Sequence, residues 1–191
     1  MGETSSLKSL IMPVVAMAAV ILLSNIAVQY PVMMVLPVGE AGLNLADWLT
    51  WGAFTYPIAF LVTDTTNRLF GFSAARKVVY AGFVVGVVLS YYFADPRIAL
   101  ASGSAFLLAQ ILDVVIFDKL RKATWWKAPA ISSLIGSAVD TAIFFSIAFA
   151  GTGLPWIGWA VGDFAAKLVM IALLLYPFKL ITGAVATPAR G

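Results

Sequence analysis

The chain has 191 residues, of which 62% are hydrophobic and 11% charged, with a formal net charge of +3. Soluble domains are far less apolar, so the composition indicates an integral membrane protein without a sizeable soluble domain. The sequence contains neither Cys nor His, which excludes disulfides, the usual zinc sites and nucleophilic chemistry with a histidine base. It also contains no Walker-type loop for binding a nucleotide.

Six apolar stretches are long enough to cross a bilayer of about 30 Å as helices. In chain order they cover residues 9–30, 49–70, 76–94, 99–118, 129–150 and 157–179. The first stretch is longer than the apolar part of a signal peptide and lacks a cleavage site before a polar domain, so we interpret it as a retained helix. The sequence therefore predicts an all-α integral membrane protein: a six-transmembrane-helix bundle over 9–181, with short tails at 1–8 and 182–191.

The basic residues predict how this bundle is oriented. Ten of the twelve fall on one side of the predicted arrangement, namely Lys8, Arg68, Arg76, Lys77, Lys119, Arg121, Lys122, Lys127, Lys179 and Arg190. Arg97 falls on the other side, and Lys167 lies inside a predicted span. By the positive-inside rule both termini are cytoplasmic. Because insertion topology explains the positive charge, the lipid bilayer is the predicted partner and no nucleic acid is.

Five ionisable residues lie inside the apolar stretches. They are Asp64, Asp113, Asp140, Asp163 and Lys167. A charge at the centre of a bilayer costs at least roughly 2.5–3.5 kcal/mol, so it persists mainly where it pairs, meets water or binds a ligand. Asp163 and Lys167 are one helical turn apart and can form an ion pair, and Asp64 can pair with Arg68. Asp113 and Asp140 then have no obvious partner, which makes them the main candidates for contact with a ligand.

Polar and aromatic residues extend the faces that carry these two acids. Gln110 shares a helical face with Asp113, and Phe106 continues that face by one turn. Asp140 lies on a stripe with Ser133, Gly136, Ser137 and Phe144. Structural alternatives remain open. Asp163 and Lys167 can simply neutralise each other, Asp64 and Arg68 can form an interfacial clasp, and Asn25 can hydrogen-bond a neighbouring helix.

Glycine and proline positions carry weaker signals about packing. Gly82 and Gly86, and likewise Gly158 and Gly162, are four residues apart and can let helix backbones approach closely, either within one bundle or in a homodimer. Pro57 interrupts the backbone hydrogen bonding of the second predicted span, where a kink is expected.

Four segments resemble successive signatures of the queuosine precursor transporter family, also called the vitamin uptake transporter family. They read YPIAFLVTDTTNRLFG, FLLAQILDVVIFDKLRK, SSLIGSAVDTAIFFSIAFAG and GDFAAKLVMIALLLYPF. The resemblance covers roughly residues 50–180. It implies a six-helix inner-membrane importer, without a cofactor, for 7-deazaguanine compounds such as 7-cyano-7-deazaguanine and its aminomethyl relative, which are used to make queuosine in transfer RNA. Asp64, Gln110, Asp113, Asp140 and Lys167 match the family's motif positions, whereas many relatives carry an acidic residue and Tyr where this chain has Arg68, Leu69 and Phe70.

The candidate residues suit such a substrate. A guanine-like edge presents N1–H and an exocyclic amine, which a carboxylate such as Asp140 or Asp113 accepts through two hydrogen bonds. The O6 and N7 acceptors suit donors from Lys167, Asn25 or Gln110. The planar ring system suits stacking on an aromatic side chain, for which the candidates are Trp51, Phe54, Phe106 and Phe144.

Four functions are compatible with these residues. The first is a carrier that binds its substrate near the midplane and works by alternating access, with proton coupling through a buried acid as one option. The second is the substrate-binding subunit of a system driven by a separate ATPase module. The third is an intramembrane enzyme with paired aspartates, although Asp113 and Asp140 lack the YD and GxGD settings of aspartyl intramembrane proteases. The fourth is a membrane scaffold.

Overall fold

The computed structural model describes residues 7–39 and 42–186, which form a bundle of α-helices. In these residues the helices are α1 (Leu7–Ala27), α2 (Gly52–Thr55), α3 (Ile58–Phe70), α4 (Phe72–Phe93), α5 (Pro96–Leu120), α6 (Lys127–Phe149) and α7 (Trp156–Ala186). Five of them, α1 and α4 to α7, are long and apolar enough to cross a membrane. The predicted multi-pass helical architecture is therefore confirmed. The cytoplasmic placement of both termini stays a prediction, and most of the predicted tails lies outside the described residues.

The second predicted span, 49–70, is divided into two helices instead of forming one. The break falls at Tyr56 and Pro57, between α2 and α3. Pro57 has no backbone N–H, and the N–H groups of Ala59 and Phe60 donate only three residues back, to the oxygens of Tyr56 and Pro57 at 2.9 and 3.1 Å. Such short-range bonds tighten the backbone where the proline has removed a longer one. The 13 residues of α3 span only about 20 Å.

A small antiparallel hairpin precedes this broken helix, and the all-α prediction missed it. Strand β1 (Val35–Leu36) pairs with β2 (Leu43–Asn44). The segment then continues to Trp48, which lies against α7: a Cβ added at Gly162 would lie 2.7 Å from the backbone oxygen of Trp48. Gly162 therefore permits a backbone approach that no larger residue would.

The long helices pack around an apolar centre. Met17 and Ile21 of α1, Val78 and Val79 of α4, and Phe106 and Val114 of α5 belong to one buried cluster. A Cβ at Gly82 would lie 2.6 Å from the Cγ of Met17, so this glycine lets α1 and α4 approach within the chain. Of the two roles predicted for the small residues, the structure supplies the one inside a single bundle.

Two helix turns at one end of the bundle are joined by reciprocal hydrogen bonds. Gly71 alone connects α3 to α4, with a φ of 89° that favours glycine. Arg68, in the last turn of α3, donates through Nη1 to the backbone oxygen of Arg121 at 2.8 Å. Arg121, at the end of α5, donates through Nη2 to the backbone oxygen of Arg68 at 2.9 Å. Each arginine thus satisfies a carbonyl at the other helix's end.

Candidate functional site

One group of polar side chains surrounds the ammonium of Lys167, and we call it the lysine cluster: Tyr56, Asp140, Thr141, Asp163 and Lys167. The Lys167 Nζ lies 2.7 Å from Asp140 Oδ2 and 2.6 Å from Asp163 Oδ2. It also donates to the Thr141 hydroxyl at 3.0 Å, and that hydroxyl donates to Asp163 at 2.7 Å. The Tyr56 hydroxyl donates to the other Asp140 oxygen at 2.9 Å. Every charged member of the cluster therefore has a partner.

The lysine cluster corrects one prediction and confirms another. Asp163 and Lys167 do form the predicted ion pair one turn apart on α7. The expectation that Asp140 lacks a partner is wrong, because Lys167 bridges the two carboxylates. Asp140 is about 20 Å along α6 from its first residue, and Lys167 about 16 Å along α7. Both residues are almost completely buried, so the cation offsets part of the cost of placing these acids deep in the bundle.

A second group lies nearer the end where α5 turns into α6, and we call it the carboxyl pair: Asp64 and Asp113. The Thr63 hydroxyl bonds to Gln110 Oε1 at 2.7 Å and the Asn67 amide to the backbone oxygen of Val114 at 3.1 Å, so the turns of α3 and α5 that carry the two acids lie side by side. Asp64 accepts hydrogen bonds from the hydroxyls of Ser132 at 3.4 Å and Ser133 at 3.2 Å. Asp113 is fully buried, and neither of its carboxyl oxygens has a hydrogen-bond partner among the described residues.

The predicted pairing of Asp64 with Arg68 is wrong. The guanidinium of Arg68 bonds instead to the backbone of Arg121 and lies 5.2 Å from the centre of the Phe117 ring. No ion pair joins Asp64 or Asp113 to a cation in the described part of the chain. Within residues 7–39 and 42–186, these two acids therefore have no counter-charge in contact.

More hydrogen-bonding capacity is left unused on the helical turns next to Asp64, Asp113 and Ser133. Gln110 is fully buried; its Oε1 accepts from the Thr63 hydroxyl at 2.7 Å, while its Nε2 has no partner among the described residues. The same holds for Asn67 Oδ1 and Ser137 Oγ. Asp140 of the lysine cluster comes seven positions after Ser133, which bonds to Asp64. The two groups thus occupy layers about 10 Å apart along α6.

Two cavities lie on different sides of the broken helix. The first, about 400 Å³ including its mouth, is enclosed by α1, α4, α5 and Tyr56, and its polar and aromatic lining consists of Ser24, Asn25, Tyr56, Ser90, Ser102 and Phe106. The second, about 300 Å³ measured in the same way, lies between α3, α6 and α7 and is lined in part by Phe60, Asp64 and Ser133. The rings of Tyr56 and Phe60 meet edge to face with centroids 6.3 Å apart.

Some of the aromatic and amide residues predicted to contact the substrate line a cavity, and others do not. Asn25 and Phe106 line the first cavity, although the Asn25 amide also donates to the backbone of its own helix, at Ile21. Trp51 packs against Phe54 and is nearly half exposed. Phe144 packs against Phe145 and Phe149. Trp51, Phe54 and Phe144 line neither of the two cavities.

Sequence reasoning missed Tyr56 and Thr141. A signal for Tyr56 exists, since Tyr56, Phe60, Thr63 and Asn67 are spaced three or four residues apart and share a helical face. All but Tyr56 are buried. Thr141 directly follows Asp140, and nothing in its spacing distinguishes it from an ordinary threonine of a membrane helix.

These features define a multi-pass helical membrane protein with a charged network buried inside it. The chain matches the family described as "Putative vitamin uptake transporter" over residues 50–95 and 90–190. It is 34% identical to the "Probable queuosine precursor transporter" of Haemophilus influenzae, across 90% of this chain and 80% of that protein. It is 34% identical to the "Queuosine precursor transporter" of Escherichia coli K12, across 83% and 79%. A Bacillus subtilis relative, "Probable queuosine precursor transporter", is 28% identical across 53% and 57%.

The chain belongs to the queuosine precursor transporter family, also called the vitamin uptake transporter family. Membership confirms the resemblance seen in the four sequence segments. The relatives are named as transporters, so the chain is a transport protein and not an enzyme. No solved structure matches the chain.

Proposed function

We propose that the chain imports queuosine precursors, 7-deazaguanine compounds such as 7-cyano-7-deazaguanine and 7-aminomethyl-7-deazaguanine, across the inner membrane, with both termini in the cytoplasm. The names of the relatives support this substrate class. The single observation that carries a binding site is the position of Tyr56. Its ring lines the first cavity, and its hydroxyl bonds to Asp140 in the lysine cluster.

Only the Tyr56 side chain thus separates a solute in the first cavity from the buried carboxylate of Asp140, which is paired with the ammonium of Lys167. When the Tyr56 hydroxyl leaves Asp140, the N1–H and exocyclic amine of a deazaguanine can take its place as donors to the carboxylate. Lys167 can then donate to O6 with the N–H group that it otherwise directs at the Thr141 hydroxyl. Asp140 has a donor both before and after this exchange, so neither state leaves a buried carboxylate unsatisfied.

The walls of the first cavity suit the rest of the substrate. Phe106 supplies a ring face for stacking, and Asn25 supplies an amide beside it. Ser24 contributes a buried hydroxyl oxygen with no partner among the described residues. An apolar cavity with a few polar groups is typical of small-molecule sites.

Six predicted substrate contacts have no support from this geometry. Asp113 and Asp64 belong to the other polar layer, about 10 Å away along α6. Gln110 bonds to Thr63 and lines neither cavity. Trp51, Phe54 and Phe144 lie outside both cavities. These assignments stay predictions, and we place the substrate against Asp140, Lys167, Asn25, Phe106 and Tyr56 instead.

Uptake into cells tests this proposal. The host makes no queuosine precursor and lacks its own importer, 7-cyano-7-deazaguanine is supplied in the medium, and queuosine in transfer RNA is measured. We expect the intact chain to restore queuosine and Asp140→Asn to lower its initial rate of appearance at least tenfold. Asp118→Asn is the matched control, because Asp118 is a partly exposed aspartate in the last turn of α5. If the intact chain restores nothing, the proposed function is wrong.

We further propose that the chain works without a separate ATPase module. The experiment uses the purified chain alone in liposomes and measures uptake of the labelled precursor. Uptake in the absence of ATP supports a self-sufficient carrier, whereas uptake only after an ATPase module and ATP are added would identify the chain as a subunit of a larger system. Gly82 and Gly162 are occupied by packing inside the chain, so these glycines do not support a homodimer.

A further inference from the structure

We propose that Asp64 and Asp113 together form a proton-binding site that couples import to a proton gradient. The proposal rests on the proposed import function and assigns to the carboxyl pair a role separate from substrate binding. Its ligand is one proton, which converts a carboxylate into a carboxylic acid hydrogen-bonded to its neighbour.

The geometry of the two acids carries this inference. Asp64 is 2% exposed and Asp113 0%, and the Thr63–Gln110 and Asn67–Val114 hydrogen bonds hold the turns of α3 and α5 that carry them side by side. Two adjacent carboxylates in a water-poor interior repel strongly, and a shared proton removes the repulsion and supplies the missing hydrogen bond. Asp113 has room for that bond, since both of its oxygens lack a donor among the described residues.

The surrounding helices provide no positive charge in contact with the pair. From α3, Arg68 is the nearest cation, and its guanidinium is held by Arg121 and the Phe117 ring. On α5 the Gln110 amide lies one turn before Asp113 and bonds to Thr63, and from α6 Asp64 meets two serine hydroxyls. The α7 residues that line the second cavity with Asp64 are apolar, namely Ile171, Leu174 and Phe178, and Val78 and Val79 of α4 belong to the apolar cluster that includes Val114, next to Asp113 in α5. The charges of the lysine cluster lie about 10 Å away along α6.

A proton fits this site better than a metal ion. In residues 7–39 and 42–186, no three His, Cys, Asp or Glu side chains are grouped so that they could hold a metal. The free group of Gln110 is an N–H donor, which repels a cation but favours a carboxyl oxygen. The hydroxyls of Ser132 and Ser133 also point hydrogens at Asp64.

The two cavities give the proton and the substrate separate access. Asp64 and Ser133 line the second cavity, whereas Tyr56 lines the first. Tyr56 and Asp64 belong to the same stretch of chain, two helical turns apart across the break at Pro57. The proposed cycle requires that the movement which frees Asp140 for the substrate also displaces Asp64 from Asp113. In one import cycle the pair takes a proton from the side of substrate entry and releases it on the other side, so one proton and one substrate molecule cross together.

Proteoliposomes containing the full chain test the coupling. The labelled substrate is 7-cyano-7-deazaguanine, and a trapped dye reports internal pH. With an acidic exterior, we expect substrate-dependent acidification of the lumen and about a tenfold accumulation for each unit of pH difference, as one coupled proton requires. Accumulation driven by a sodium gradient, or accumulation without acidification, would overturn the inference.

Variants separate the proton site from the substrate site. We expect Asp113→Asn and Asp64→Asn to abolish accumulation and acidification but to retain counterflow, the exchange of labelled for unlabelled substrate at equal pH. Asp118→Asn should retain all three activities. Retained counterflow also shows that a variant is folded. If both variants still accumulate substrate with the pH gradient, or both lose counterflow, the carboxyl pair is not a separate proton site.

The outcomes also distinguish this inference from the proposed function. If the intact chain shows no counterflow of 7-cyano-7-deazaguanine, the proposed substrate is wrong. If counterflow is present but accumulation ignores the pH gradient, the proposed function survives and only the proton site fails.

Discussion

Replacing Lys167 by methionine is expected to destabilise the protein more than replacing either acid that it contacts. The Lys167 Nζ lies 2.7 and 2.6 Å from its two carboxylate partners. At an effective dielectric constant of about 20, each contact has a gross attraction of about 6 kcal/mol, much of which desolvation cancels. Lys167→Met leaves Asp140 and Asp163 without a cation, for which a loss of about 3–5 kcal/mol is expected.

Asp140→Asn should cost less, because Lys167 and Asp163 remain as a balanced ion pair. The expected loss is about 1.5–3 kcal/mol, the value of hydrogen bonds to a charged group. The double variant Lys167→Met with Asp140→Asn should be more stable than Lys167→Met alone, since it leaves one uncompensated acid instead of two. Import should be lost in all three variants.

The free energy of unfolding is measured by titration with sodium dodecyl sulfate in mixed micelles. Lys179→Met is the control on the same helix: Lys179 is exposed and lies 5.2 Å from the Trp125 ring, a contact of about 0.5–1 kcal/mol. If Asp140→Asn costs as much as Lys167→Met, or if the double variant is the least stable, the charge balance described for the lysine cluster is wrong.

Two matched pairs of variants test the cavity and the packing. Asn25→Ala should raise the KM for 7-cyano-7-deazaguanine about two- to tenfold, the effect of one hydrogen bond. Gln29→Ala, one turn further along the chain and exposed, should leave KM unchanged; equal effects in liposome uptake would remove Asn25 from the site. Gly162→Ala should lower the free energy of unfolding by about 1–3 kcal/mol, because its Cβ would lie 2.7 Å from a backbone oxygen. Gly158→Ala meets only an ordinary contact at 3.4 Å and should change it little; a larger loss for Gly158→Ala in the same titration would contradict this packing.

The long helices could be predicted from the sequence because a membrane requires about 20 consecutive apolar residues. The length of an apolar segment can be read from the sequence without knowing which helices pack against it. The broken helix at Pro57 was only partly predictable. Proline signals a missing hydrogen bond, but whether a membrane helix kinks or divides depends on what packs around it.

The partners of the buried acids could not be predicted in the same way. The pairing of Asp163 with Lys167 is local, one turn along α7, and the sequence spacing suffices for it. The bond between Lys167 and Asp140 joins two helices and depends on their relative rotation. For Arg68 the local spacing was misleading. It allows an ion pair with Asp64 on the same helix, but the guanidinium bonds instead to the backbone oxygen of Arg121 on another helix.

The reciprocal bonds of Arg68 and Arg121 make the ends of α3 and α5 interdependent. Each guanidinium donates a hydrogen bond to a backbone carbonyl at the end of the other helix. If one helix end frays, the carbonyl at the other end therefore loses its donor. Guanidinium groups stay charged at any physiological pH, which makes this link insensitive to the proton gradient. During synthesis α3 is made before α5, so the backbone oxygen of Arg68 gains its hydrogen bond from Arg121 only after α5 has formed. The two helix ends therefore become ordered together.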